Sequence, residues 1–321
     1  FLTELARRAE ERRIDPVTLF ALQALRANAE VESEIRSLDR RIGDVALLVG
    51  DTATALASWQ AAAAGLPQGS PERRRTLAQV LRLEAEMRPL DRAGISSDLE
   101  AFKEEFPDAS ELDALAASVS VRLQSEGDLA GAVVALQGVH GPASSLERAY
   151  LILAGGDPAK AREDLLSALA GLPAGQATDV IALVALLDRS SPAGQRVAAQ
   201  ATVLAHRGSA AEAVAEGEAG RPGLPDPEQA GLLALAGRIA SGHGLADQAE
   251  AAWTTLIDDF PDAPETPEAA LSLATSRAAR PEGREEAIAL LEDLIVTQPN
   301  SPIVPAARRE LDRIRSQGSP P

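Results

Sequence analysis

Residues 232–274 read LLALAGRIASGHGLADQAEAAWTTLIDDFPDAPETPEAALSLA and contain one complete helix-turn-helix unit and the start of the next. The second helix places four residues on one face: Ala249, Trp253, Leu256 and Phe260. Gly237, twelve positions before Ala249, offers them a surface without a side chain on the preceding helix. Gly244 ends the first helix, because glycine adopts a left-handed conformation at little cost, and Pro261 ends the second. The spacing therefore predicts two helices that cross closely.

The same offsets recur along the chain: a small residue, then positions 12, 16, 19 and 24 further on. The set is complete at Gly43, Ala55, Trp59, Ala62 and Pro67. Other units fit in full or in part; they begin at Ser120, Ala149, Ala201 and Thr275, and a weaker one ends Leu99, Phe102, Pro107. Repeats of this length are typical of a solenoid, in which each helix pair buries its apolar face against its neighbours.

In these residues the chain resembles the tetratricopeptide repeat (TPR) family. The resemblance implies an all-α fold, an α-α superhelix of antiparallel helix pairs closed by a C-terminal capping helix. The composition agrees, because aromatic residues make up only 2% of a chain with 45% hydrophobic residues, and helices that pack through Ala and Gly need few large side chains. A repeat fold by itself says little about function.

The pattern predicts five segments: N-terminal helices over 1–35, a first solenoid part over 36–175, an irregular three-helix segment over 176–225, further repeats with the capping helix over 226–316, and a disordered tail over 317–321. A break near 29–33 separates two of the N-terminal helices. Seven dipeptides predict helix starts with a polar N-cap followed by proline: Asp15-Pro16, Ser70-Pro71, Asp157-Pro158, Ser191-Pro192, Asp226-Pro227, Thr266-Pro267 and Ser301-Pro302.

Composition excludes several classes of function. The formal net charge of −17 disfavours nucleic acid and anionic membrane surfaces, which need clustered basic residues. The absence of cysteine excludes disulfides and thiolate chemistry and leaves the compartment open. The longest apolar run, 180–187, is far shorter than the roughly 20 residues that span a bilayer, so we expect no direct membrane insertion. The chain starts at Phe1 without Met, which we interpret as a processed form or an excerpt of a longer chain, so that any signal peptide or lipid anchor would lie upstream.

No catalytic or metal-binding pattern is evident. His140, His206 and His243 are far apart and lack paired carboxylates at ligand spacing; each is placed near a helix C-terminus, which favours a structural role. Neither a nucleophile elbow nor a phosphate-binding loop is present. The sequence therefore predicts a protein without catalytic residues, metal or cofactor.

The TPR resemblance also implies a binding surface, because members bind partners through the first helix of each pair, which lines a concave inner wall. Matching positions are Arg40, Asp44, Val121, Gln124, Leu146, Tyr150, Thr202, His206, Arg238, Ser272, Ser276 and Arg280. Of these, the candidates for partner contact are Arg40, Gln124, Tyr150, His206, Arg238 and Arg280. Asp44 and Val121 break the basic set with which some members clamp a terminal carboxylate. Tyr150, the only tyrosine, is either a binding anchor or a packed residue with its hydroxyl at the rim.

Charge is unevenly distributed. Residues 95–130 carry nine acids, and residues 244–270 carry seven acids and no base. Arg73, Arg74, Arg75, Arg82 and a C-terminal arginine group form basic islands. The acids are either an ordinary solvated face or a surface that steers a basic partner, with Asp258, Asp259 and Asp262 as its candidate residues.

The C-terminal quarter narrows the resemblance. Residues 260–274, FPDAPETPEAALSLA, and 298–308, QPNSPIVPAAR, look like repeats of bacterial envelope proteins, among them outer-membrane assembly lipoproteins and coordinators of cell-wall synthesis with outer-membrane constriction. The first hypothesis is a non-enzymatic scaffold that binds proteins or peptide segments in a periplasmic or cell envelope complex. Two alternatives stay open: a helical-superstructure domain of a cell-wall enzyme or its activator, and a cytoplasmic TPR adaptor.

Overall fold

The computed structural model describes residues 1–316, apart from the side chain of Pro281. These residues form helices and turns, and none of them lies in a strand. The chain divides into two compact units, Phe1–Glu147 (unit 1) and Arg148–Pro321 (unit 2). The disordered tail predicted over 317–321 lies outside the described residues.

Unit 1 contains eight helices and the start of a ninth within its described residues. They are α1 (Leu2–Glu11), α2 (Asp15–Ala27), α3 (Glu32–Leu48), α4 (Thr52–Ala64), α5 (Pro71–Glu86), α6 (Arg92–Glu105), α7 (Leu112–Ser125), α8 (Leu129–Ala135) and α9 (Pro142–Ala154). The predicted break near 29–33 is confirmed, because α2 ends before it and α3 begins within it.

Unit 2 holds the rest of α9 and the remaining helices of the described chain. They are α10 (Pro158–Ala168), α11 (Ala174–Arg189), α12 (Pro192–His206), α13 (Ala210–Gly220), α14 (Asp226–Gly242), α15 (Ala246–Asp259), α16 (Thr266–Ala278), α17 (Arg284–Thr297) and α18 (Val304–Ser316). Short 3-10 turns follow α10 and precede α17. The predicted all-α, TPR-like arrangement of consecutive helix pairs is confirmed in each unit.

The glycine and tryptophan of the repeat pattern make the contact that the spacing predicts. A Cβ atom on Gly237 would lie 2.5 Å from Cε2 of Trp253, and one on Gly43 would lie 2.4 Å from Cδ1 of Trp59. Both indole rings are buried. Each ring also donates a hydrogen bond to the first helix of its pair: Trp59 Nε1 to Asp44 Oδ1 at 3.1 Å, and Trp253 Nε1 to Ser241 Oγ at 3.4 Å. Because each glycine lacks a side chain, the indole ring of the second helix packs directly against the backbone of the first, as expected of closely crossing helices.

The units beginning at Ser120, Ala149 and Ala201 also bury their small residue. The prediction for Thr275 is wrong, because this residue is exposed and its hydroxyl donates to the carbonyl oxygen of Leu271. Ala274, one position earlier, is buried instead. A longer connection to α17, which includes the 3-10 turn Pro281–Gly283, accounts for the changed spacing.

Three of the seven predicted polar N-caps are confirmed. The side chains of Ser70, Asp157 and Ser191 accept the backbone N–H three residues further on. The predictions for Asp15, Asp226 and Thr266 are wrong, because each is the first residue of its helix. The N-cap is instead the residue before it, whose carbonyl oxygen accepts the first helical hydrogen bond. Proline then occupies the second helical position, where its missing N–H is equally tolerated. Ser301 lies in the turn before α18, which begins three residues later.

The irregular segment contains three helices, as the apolar spacing predicts. α12 and α13 form a tight pair, and α11 packs beside α10, α12 and α14 without a partner of its own. At the end of the described chain, α18 lies on α16 and α17 and buries Val304, Ala307, Leu311 and Ile314. Its outer face carries Arg308 and Arg309, which are exposed. This amphipathic division is expected of a capping helix.

Candidate binding surfaces on the first helices

A charged cleft of about 370 Å³ lies on the first helices of unit 1. We call it the arginine cleft; its walls come from α3, α5 and the residue before α7, namely Arg40, Asp44, Glu72, Arg75, Thr76, Ala78, Gln79, Arg82 and Glu111. Two of these, Arg40 and Asp44, are positions that the TPR resemblance assigns to the inner wall. Successive first helices thus contribute side chains to one surface, which is the arrangement that the resemblance implies.

Most acids of the arginine cleft already have partners. Asp44 accepts the indole hydrogen bond of Trp59, and Glu111 accepts from the hydroxyl of Ser110 and lies 3.6 Å from Nε of Arg74. Hydrogen bonding from its own backbone is the largest cause that lowers the pKa of Glu111; the hydroxyl of Ser110 and the charges of Arg74 and Arg82 lower it further, and burial opposes the shift. In contrast, the exposed guanidinium groups of the cleft have no ion pair or hydrogen bond within residues 1–316; they belong to Arg40, Arg75 and Arg82.

A second cleft of about 260 Å³ adjoins the first and shares Arg40, Glu72 and Thr76 with it. Its other lining residues come from α3, α4 and the turn after α4: Ser33, Arg36, Ser37, Ala62 and Leu66. The buried hydroxyl of Thr76 donates to the carbonyl oxygen of Glu72 at 3.0 Å. The lining of this second cleft is therefore mostly polar, with the Thr76 hydroxyl already hydrogen-bonded, and its apolar part consists of Ala62 and Leu66.

In unit 2, two of the predicted inner-wall residues meet although 56 positions separate them in the sequence. The ring centroids of Tyr150 on α9 and His206 at the end of α12 lie 4.1 Å apart, with 34° between the ring planes. Both side chains are half-buried. The packed role of Tyr150 is therefore what the structure shows, and its use as an anchor for a partner stays a prediction.

The other three candidates for partner contact are engaged within their own unit. Arg238 donates to both carboxylate oxygens of Glu268, at 2.7 and 2.9 Å, and Arg280 pairs with Glu250. Gln124 on α7 is half-buried and donates to the hydroxyl of Ser120 at 3.4 Å. These side chains therefore have an intramolecular partner that a bound protein would have to replace.

The extra helix α11 brings charged groups to the same side of α14 and α16. Arg189 at its end passes over Gly231, where a Cβ would lie 2.6 Å from Nη2, and pairs with Glu265. Near its start, burial raises the pKa of Asp179, and the charge of Arg238 opposes that shift. Helix α11 therefore contributes an ion pair to the residue before α16 and places a carboxyl group near Arg238 of α14.

The acidic segments are less uniform than their composition indicates. In 244–270, Glu250, Glu265 and Glu268 are paired with arginines from other segments of unit 2. The predicted acidic surface, Asp258, Asp259 and Asp262, is exposed, and none of the three forms an ion pair or side-chain hydrogen bond with residues 1–316. In 95–130 most carboxylates are engaged: Glu100, Glu105, Glu111 and Glu126 in ion pairs, and Asp113 and Asp128 with backbone N–H groups. In these two segments, exposed carboxylates without an ion pair among residues 1–316 therefore lie at the end of α15 and also at the end of α6, where they belong to Glu104 and Asp108.

Sequence reasoning missed one carboxyl pair, because its members lie on different helices. Burial, followed by the charge of Asp98 on α6, raises the pKa of Glu84 on α5 to about 8. Glu84 accepts from Gln60 Nε2 at 3.2 Å through one oxygen. Its other oxygen is buried without a hydrogen-bond partner among the described residues. The only sequence signal was a glutamate on the packed side of α5.

The three histidines occupy different places in the fold. His206 ends α12, and His243 follows α14 with Nδ1 2.9 Å from the carbonyl oxygen of Ile239. The prediction of a helix C-terminus is wrong for His140, which lies in the connection between α8 and α9. Over residues 1–316, no group of three or more His, Asp or Glu side chains is arranged to hold a metal ion. The same residues include no helix that is both long and apolar enough to cross a membrane.

No family model and no curated protein sequence matches the chain. Among solved structures, the chain is similar to that of Naa15/Naa10 bound to HypK-THB, with 15% identity, a TM-score of 0.36 and coverage of 94% of this chain. It spans 43% of that protein's length. The TPR domain of P58(IPK) gives 14% identity, a TM-score of 0.30 and coverage of 100% of this chain and 99% of that one. A monomeric IFIT1 mutant with m7Gppp-AAAA gives 15% identity, a TM-score of 0.30 and coverage of 88% of this chain and 65% of that one. These likenesses are weak, and the fold assignment stands on the helix pairs and their packing.

Proposed function

We propose that this chain is a non-enzymatic protein–protein interaction scaffold, a subunit or adaptor of a bacterial cell envelope complex. It binds a protein or peptide segment through its first helices, and its acidic surface steers a basic region of the partner. The observation that carries the proposal is the arginine cleft, where α3, α5 and the residue before α7 present side chains on one surface. The envelope assignment is supported by the resemblance of residues 260–274 and 298–308 to envelope repeats.

The acidic surface supports the steering role. Its three carboxylates are exposed and unpaired within the described chain, so their field acts on approaching molecules. Exposed charges of this kind raise association rates more than they strengthen the final complex. Salt should therefore slow association more than it speeds dissociation.

A photo-crosslinking experiment tests which surface binds. Because the sequence has no cysteine, a single cysteine carries a benzophenone label at one chosen position. Gln79 in the arginine cleft is the test position, and exposed Ala57 on α4, a second helix, is the control. Incubation with a bacterial envelope extract, followed by mass spectrometry, should give one defined adduct from position 79 and none from position 57. Equal labelling from both positions, or no adduct from position 79, would contradict the proposal.

A further inference from the structure

The outward side of α2 in unit 1 carries no charge. We call it the α2 face; its exposed residues are Pro16, Val17, Phe20, Gln23 and Ala27, with half-buried Ala24 between them. The ring of Phe20 is 64% exposed. The charged residues of α2 are Asp15, which is half-buried at its first position, and Arg26, which is ion-paired with Asp39 of α3 at 2.7 Å. The α2 face is therefore an apolar strip open to water.

Helix α2 differs in this from the two helices at the ends of the described chain. The exposed sides of α1 and α18 are charged: Glu4, Arg7, Arg8 and Glu11 on the first, and Arg308, Arg309, Asp312 and Arg313 on the second. The inner side of α2 already packs in the core through Thr18, Ala21 and Leu22. A helix that is apolar on its outer side as well is typical of one that is covered on both sides.

Exposed charges of opposite sign lie beyond the two ends of α2. Arg12 and Arg13 precede it, and Glu30 and Glu34 follow it. All four side chains are exposed, and none of them forms an ion pair or side-chain hydrogen bond with residues 1–316. Because the helix has 13 residues, its length of about 20 Å separates the basic end from the acidic end.

We propose that the α2 face binds the same face of a second copy of this chain, with the two α2 helices antiparallel about a two-fold axis. In such an interface each contact occurs twice. The basic end of α2 in one copy then lies beside the acidic end of α2 in the other. A two-fold axis through the middle of α2 also places the large Phe20 of each copy opposite the small Ala24 of the other. Charge and side-chain size are therefore both self-complementary.

The same charges disfavour a parallel dimer and an anionic membrane. A parallel pair of α2 helices would bring the arginines of the two copies together, and likewise the glutamates. A flat anionic surface would attract the basic end of the α2 face and repel the acidic end. One exposed helix face is smaller than a standard interface of about 800 Å² per partner, so we expect a reversible dimer with a Kd of roughly 1 μM to 1 mM. This goes beyond the proposed function, because the α2 face lies outside the arginine cleft.

Sedimentation velocity of the intact chain over a range of concentrations tests the proposal. Phe20→Glu should weaken self-association by at least about tenfold, because each dimer loses two buried rings. Val296→Glu is the matched control, since this valine of α17 is 77% exposed and lies outside the α2 face. It should change the dimer affinity by less than about twofold. Far-UV circular dichroism and urea unfolding check that both variants fold.

Charge exchange and crosslinking test the antiparallel arrangement. The variant Arg12→Glu, Arg13→Glu makes both ends of the α2 face acidic, and Glu30→Arg, Glu34→Arg makes both ends basic. Each alone should weaken self-association by at least about threefold, whereas a mixture of the two should form a dimer that contains one copy of each. Because the sequence has no cysteine, a bismaleimide should link Val17→Cys chains to Ala27→Cys chains faster than it links either to itself.

Four outcomes would overturn the proposal. The chain could stay monomeric up to roughly 1 mM, or Phe20→Glu and Val296→Glu could weaken the dimer equally. The two charge variants could fail to associate with each other, or position 17 could crosslink best to position 17. Binding of a monomeric chain to vesicles with anionic phospholipid, abolished by Phe20→Glu, would assign the α2 face to a membrane instead. A partner that crosslinks to position 79 of a chain that stays monomeric would leave the proposed function standing and this inference refuted.

Discussion

Replacing Gly237 with Ala tests whether the glycine and tryptophan of a helix pair set the distance between its helices. The added Cβ would lie 2.5 Å from Cε2, 2.6 Å from Cζ2 and 2.7 Å from Cδ2 of Trp253. Ordinary contact begins near 3.4 Å, so ring or helix must move by about 0.9 Å, the difference between 3.4 and 2.5. Trp253 is 2% exposed, so its ring is enclosed by closely packed neighbours.

Two opposing terms determine the magnitude. Overpacking a close contact costs roughly 1–3 kcal/mol. Alanine in place of glycine inside a helix contributes about 1 kcal/mol in the other direction. We therefore expect the free energy of unfolding of unit 2 to fall by up to about 2 kcal/mol. Leucine at the same position should cost more, because its branched side chain cannot fit beside the ring.

Gly242 provides the matched control on the same helix. It is exposed, and a Cβ there would meet nothing within 4 Å. Gly242→Ala should therefore raise the free energy of unfolding by up to about 1 kcal/mol. Urea unfolding followed by circular dichroism measures both variants. The double variant Gly237→Ala, Trp253→Phe should lose less stability than the two single variants lose together, because the smaller ring removes the clash. The reasoning is refuted if Gly237→Ala is as stable as Gly242→Ala.

Three further predictions concern surfaces and charges. Changing the three carboxylates of the acidic surface to amides should lower the association rate with a native partner, measured by surface plasmon resonance at two salt concentrations, and leave the fold intact. The variant Glu163→Gln, Glu212→Gln, Glu285→Gln is the charge-matched control. An association rate that responds neither to salt nor to the amides would make these acids ordinary solvated surface. Because the pKa of Glu84 is raised from 4.5 to about 8, the folded chain keeps a proton that the unfolded chain releases. The free energy of unfolding should then fall as the pH rises through that window, and urea titrations of Glu84→Gln should lack this slope; a slope that survives in the variant argues against the assignment. Arg189→Gln leaves the buried carboxylate of Glu265 without its partner and should lower the free energy of unfolding by roughly 1–3 kcal/mol, with faster hydrogen exchange in α11; unchanged exchange would show that the ion pair does not hold this helix.

The helix pairs could be predicted because their information is local. The interval of sixteen residues from Gly43 to Trp59, repeated from Gly237 to Trp253, specifies both the missing side chain and the ring that fills its place. Helix periodicity and short connections then determine the pairing. The same reasoning was wrong at Thr275, because a longer connection before α17 shifts the buried position of α16 by one residue, to Ala274.

The helix starts were predicted less well, for a physical reason. A dipeptide such as Asp15-Pro16 fits two positions, with proline first or second in the helix, and at both of them the missing N–H of proline would have had no acceptor within the helix. At Ser70 the side chain accepts the N–H of Arg73, while at Asp15 the carbonyl of Ile14 begins the helix. The sequence contains no signal that separates the two cases.

The charged surfaces could be predicted only in part. Composition identifies an acidic segment over 244–270, but not that Glu265 pairs with an arginine 76 positions earlier. In the same way, Arg73, Arg74 and Arg75 look alike in the sequence, and only packing shows that the first two are engaged. Pairs between helices far apart in the chain depend on the path of the repeats, which no local pattern contains.

The two tryptophans give the molecule a built-in optical readout. The sequence has two of them, and one indole is buried in each compact unit: Trp59 in unit 1 and Trp253 in unit 2. A variant that keeps only one of them therefore emits from a single unit, and its emission maximum shifts to longer wavelength when that unit exposes its ring to water. Comparing Trp59→Phe with Trp253→Phe during urea titration would show, without any label, whether the units lose their structure in one step or in two.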